Sequence, residues 1–97
     1  MGQRQVQRRL AQVSSRLKET EEELRIVGDQ LESLVSDADE KSMRALVSET
    51  PAAEFEYREA RKHADAMQRH HAGLVAARDE MLRTLDSLLD KMKETAR

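Results

Sequence analysis

Three histidines are the residues best suited to chemistry: His63, His70 and His71. Zinc sites on one helix need imidazoles four positions apart, or an HExxH pattern. His63 and His70 are seven apart, about 10 Å along a helix axis, and one ion cannot bridge that. The chain has no cysteine, so it has no thiolate ligand and no disulfide framework. No metal site is expected, and His63 beside Glu59 reads as a surface pair. The run "KETEEEL" (residues 18–24) groups carboxylates, but nothing around it forms the cleft that acid–base catalysis needs. No nucleophile–base set and no glycine-rich phosphate loop is present. The expectation is a protein that is not an enzyme, with no catalytic residues and no cofactor.

The charges are laid out unevenly. Residues 1–18 carry Arg4, Arg8, Arg9, Arg16 and Lys18 and no acid. Residues 19–32 carry Glu19, Glu21, Glu22, Glu23, Asp29 and Glu32 against Arg25 alone. Residues 37–56 are acidic again, with Asp37, Asp39, Glu40, Glu49, Glu54 and Glu56 against Lys41 and Arg44. A basic run such as "RQVQRRLAQVSSRLK" can track phosphates. The net charge is −2, however, and no aromatic interleaves the arginines. Nucleic acid is therefore not the expected partner, and a protein is.

These residues ride on helices. In the first third, Val6, Leu10, Val13, Leu17, Thr20, Leu24, Val27, Leu31 and Leu34 are spaced alternately four and three apart. That is a coiled-coil heptad, and it predicts a helix over about 3–35. Ser36 or Asp37 can cap a new helix, so "SDADEKSMRALVS" predicts a short second helix over about 38–48 whose Met43, Leu46 and Val47 share a face. "TPAAE" is a start signal, with Thr50 placed to cap and Pro51 at the first helical position. The last heptad runs through Tyr57, Ala60, Ala64, Met67, His71, Leu74, Arg78, Met81, Leu85, Leu88 and Met92, predicting a helix over about 51–93.

The fold class that follows is all-α: one domain over residues 1–97, an antiparallel two-helix coiled-coil hairpin with a short connecting helix at its tip. One register pairs Leu34 with Tyr57, Leu31 with Ala60, Val27 with Ala64, Thr20 with His71, Val13 with Arg78 and Leu10 with Met81. A slip of one heptad is the competing register. In the first register Thr20 and His71 form one polar layer, which fixes the pairing at some cost in stability. The short helix would dock Met43, Leu46 and Val47 near Ile26, Phe55 and Tyr57 as a three-helix cap.

Helix three ends with a stripe, Met81, Leu82, Leu85, Leu88, Leu89 and Met92, wider than one neighbour covers. Arg78 sits on the seam with Arg9, Gln12 and Arg16 opposite and no acid of the hairpin to meet it, so either its guanidinium snorkels to water or a partner's carboxylate meets it, and the latter is expected. The partner-binding set is thus Arg78, Leu82, Leu85 and Leu89, and the expected partner is a second copy or a larger complex. The longest apolar run is "LVAA", residues 74–77, so no membrane span or membrane partner is expected. The start of the chain has no signal-peptide stretch, and Val6 stands where a myristoylation signal has Ser or Thr. A soluble cytoplasmic protein is expected.

Two resemblances accompany these features. Through "RRLAQVSSRL" and "RALVSETPAAEFEYREARKHADAM" the chain resembles small uncharacterised coiled-coil proteins of actinobacteria, which implies the hairpin and no activity. Through "AAEFEYREAR" it is similar to the "ENAEYxAA" stretch in the coiled-coil hairpin of Gre transcript-cleavage factors. The acids of that family fall here on Thr50 and Ala53, which implies no cleavage activity. The expected function is a non-enzymatic protein–protein interaction module, homodimeric or a subunit of a regulatory complex. The alternative is a transcription regulator that binds RNA polymerase or a sigma factor through the acidic tip.

Overall fold

The computed structural model describes residues 2–95 and forms an all-α helical hairpin. Helix α1 runs Gln3–Ser48 and helix α2 runs Pro51–Thr95. No described helix is long and apolar enough to cross a membrane.

The expected short helix is not separate. Residues 38–48 are the continuation of α1, and the physical reason lies in the seam. The four–three spacing carries on beyond Leu34 through Ala38, Lys41 and Ala45. Ala38 and Ala45 are buried; being small, they leave little apolar signal. Ser36 and Asp37 are tolerated inside the helix because nothing there breaks it. Asp37 pairs with Lys41 at 3.2 Å and Glu40 with Arg44 at 3.1 Å, one turn apart, across the place where a break was expected. The three-helix cap is absent with the short helix. Met43, Leu46, Val47 and Phe55 are all exposed.

The chain turns in two residues. Glu49 adopts the left-handed conformation, φ 51°, and its N–H donates to the carbonyl of Ala45 at 3.1 Å, the single-bond helix stop usually given to glycine. Thr50 then caps α2 as expected: Ala53 N–H donates to its Oγ1 at 3.2 Å, and Pro51 opens the helix. A glutamate with positive φ is strained. Glu49→Gly is expected to stabilise the hairpin by up to about 1 kcal/mol, while Thr50→Ala costs about 1 kcal/mol. Thermal unfolding of the two variants checks both signs, and a destabilising Glu49→Gly would contradict the turn.

The contacts fall into two compact units. The turn unit is Arg25–Gly73. Its core is Ala38, Ala60 and Ala64, with Leu34 and Val35 packed on them. Alanines at a helix contact let two backbones approach closely. Arg61 ties the helices together, reaching Asp39 at 3.4 Å while stacking 5.8 Å from the centre of the Tyr57 ring. The terminal unit is Met1–Leu24 with Leu74–Arg97. Its core is Val6, Val13 and Leu88, with Leu10, Met81, Leu85 and Met92 against them.

These contacts overturn the first register. Ala38 joins Ala60 and Ala64 in one buried cluster, with Leu34 and Val35 packed against it, where the first register put Leu31 opposite Ala60. The pairing is the one-heptad alternative. A turn confined to Glu49 and Thr50 leaves no slack, so residues equally far from it must face each other. A separate helix over about 38–48 would put the turn between the long helices a heptad earlier than it lies.

Candidate functional site

The polar layer dissolves with the old register. Thr20 is buried in the terminal unit; its hydroxyl donates to the Arg16 carbonyl at 2.9 Å, within its own helix, and lies 3.7 Å from the Met81 sulfur. His71 is half-buried in the turn unit, with its Nε2 next to Gly28: a methyl built on that glycine would stand 3.9 Å away. Each thus has a different opposite number. Among the described residues no group of three or more His, Asp or Glu is placed to hold a metal.

Arg78 is also corrected. An acid of its own hairpin does reach it: Nε and Nη2 both donate to Asp79 Oδ1 at 3.3 Å. Its side chain is 37% exposed, so the guanidinium snorkels out of the seam rather than waiting buried for a partner's carboxylate.

The three leucines of the expected set separate. Leu85 packs into the Val6–Val13–Leu88 core. Leu82 and Leu89 remain 43% and 47% exposed. Burial along the α1 seam explains what they border. Val6, Val13 and Thr20 are buried, whereas the intervening Leu10 and Leu17 are only half-buried. Alternate seam residues lean to opposite sides of a helix pair, so one side of the terminal unit is closed less well. In heptad terms Leu10, Leu17 and Leu85 lean toward the side carrying Leu82 and Leu89. This is a half-open leucine flank.

The other flank is polar. Its groove, about 260 Å³, has Val13 and Met81 at the floor and Arg9, Arg16, Glu80 and Thr84 at the rims. An adjoining hollow of about 390 Å³ adds Arg83, Ser87 and Lys91. Glu80 accepts a hydrogen bond from Arg83 at 2.7 Å, which is the chief reason that guanidinium holds its proton more tightly than usual. Arg9 and Arg16, seven apart beside the seam, were legible as a flank pair once the heptad was drawn.

In the turn unit Met43, Leu46 and Val47, spaced three and four apart, form a second exposed apolar face at 64%, 71% and 84% exposure. Compared with known protein families, characterised proteins and solved structures, the chain matches none.

Proposed function

We propose that this chain is a non-enzymatic protein–protein interaction module, homodimeric or a subunit of a regulatory complex, that docks through the leucine flank of its terminal unit. The observation that carries this reading is the exposure of Leu82 and Leu89 beside half-buried Leu10, Leu17 and Leu85. Five apolar side chains along one side of a thin two-helix core gain from a further layer. A second copy supplies that layer in a four-helix arrangement. Each leucine that becomes covered contributes of the order of 1 kcal/mol or more.

A second reading, a transcription regulator that binds polymerase or a sigma factor through the tip, draws support from Met43, Leu46 and Val47 lying open near exposed Glu49 and Glu54. The two readings differ in which leucine matters. Self-association makes the melting temperature rise with protein concentration. Under the first reading, a Leu82→Glu, Leu89→Glu double variant loses that dependence and Leu46→Glu keeps it. The reverse pattern would move the docking surface to the tip.

A further inference from the structure

The polar flank of the terminal unit carries like charge on both helices. In paired helices the residues flanking the seam commonly bear opposite charges that lock the pair. Here α1 contributes Arg9 and Arg16, with Glu23 next in the row, and α2 contributes Ala77, Thr84 and Lys91 at the corresponding positions, so the end nearer the termini carries Arg9, Arg16 and Lys91 with no acid at these positions. Glu80 stands on the rim but is engaged by Arg83. Among the described residues Arg9, Arg16 and Lys91 enter no ion pair, nor do Arg4, Arg8 and Lys18. The cations at 25, 41, 44, 61, 62, 78 and 83 are all paired with acids or otherwise engaged. Arg58, Arg69 and Lys93 also enter no ion pair among the described residues, so unpaired cations are scattered elsewhere but grouped where α1 begins, at Arg4, Arg8, Arg9, Arg16 and Lys18. A row of like charges repels itself, and a bound polyanion relieves that.

We propose that this cationic flank binds the phosphate backbone of nucleic acid without regard to sequence. Arg9 borders three hollows of the terminal unit, of about 260, 390 and 530 Å³, which are open grooves rather than an enclosed pocket. Arg9 and Arg16 stand about 10 Å apart along the axis, a row that suits a polymer better than a single anion. Guanidinium forks match phosphate oxygens, and the exposed Ser87 hydroxyl adds a donor along the same groove. No aromatic lies on the flank to stack a base, so the contacts go to the backbone alone. A membrane surface fits less well, because the apolar residues of this flank, Val13 and Leu88, are buried at its floor. The inference does not depend on the proposed dimer, which uses the opposite flank and leaves this one open.

The test is fluorescence anisotropy of the full chain with a labelled mixed-sequence DNA duplex, titrated with salt. About three phosphate contacts give a slope of log affinity against log salt near −2.7, so affinity falls about fortyfold between 50 and 200 mM salt. The Arg9→Gln, Arg16→Gln double variant should lower that slope by about two. Both side chains are exposed, so its circular dichroism and melting curve should match the wild type. A second sequence of equal length should bind equally. A double variant that binds DNA like the wild type would overturn the assignment. So would displacement of the duplex by polyglutamate at equal charge concentration, which would mark the flank as a surface for an acidic protein segment.

Discussion

Leu88→Ala is expected to destabilise the protein by about 2–5 kcal/mol, the range for deleting a buried leucine side chain. Leu88 is 5% exposed and sits where Val6 and Val13 of α1 meet α2, with Leu10, Met81, Leu85 and Met92 closing the layer. Total stabilities of small domains lie at about 5–15 kcal/mol, so this loss is a large fraction of the whole. Leu46 makes the contrast. It is 71% exposed, and Leu46→Ala should change stability by less than about 0.5 kcal/mol. Urea unfolding of the two variants, read as midpoints at constant slope, gives both numbers. Equal midpoints would mean that the terminal unit does not close around Leu88.

Ala64→Leu is expected to cost about 1–3 kcal/mol or more, from overpacking rather than from a cavity. Ala64 is 2% exposed and meets Ala38 and Ala60, themselves 0% and 6% exposed. A leucine there has no volume to enter without forcing the two backbones apart. Ala66→Leu, two residues on and exposed, is the matched control and should stay within about 0.5 kcal/mol. If Ala64→Leu stabilises instead, the alanines do not meet, and the register that leaves room beside them is the true one.

The hairpin was legible because its signal is periodic and strong. Val6 to Leu34 and Tyr57 to Met92 keep their heptads with few polar interruptions, and Thr50–Pro51 announces the second helix. The rest was hidden by residues whose identity does not reveal their position. Ala38 and Ala45 occupy buried seam positions with side chains that resemble surface alanines, and Lys41 occupies the seam position between them. The heptad is therefore legible only as far as Leu34, and the Ser36–Asp37 pair reads as a cap. One misplaced turn shifted the register by a heptad, and the Thr20–His71 layer went with it. Glu49 gave no warning either, since a helix stop without glycine carries no sequence mark. The leucines of α2 were legible as a group, but separating Leu85 from Leu82 and Leu89 required the burial pattern along α1. The cationic flank needed the same knowledge: Arg9 and Arg16 matter because the one acid α2 brings to their groove, Glu80, is held by Arg83, and that depends on the register.

The claim that a second copy covers the leucine flank is tested most directly by sedimentation equilibrium of the full chain across a wide concentration range. The chain mass is 11.1 kDa. The account predicts that the weight-average mass rises with concentration to twice that value, and that the Leu82→Glu, Leu89→Glu variant stays at the chain mass throughout. A wild-type protein that remains at 11.1 kDa at about 100 µM, where even weak dimers are populated, would contradict it.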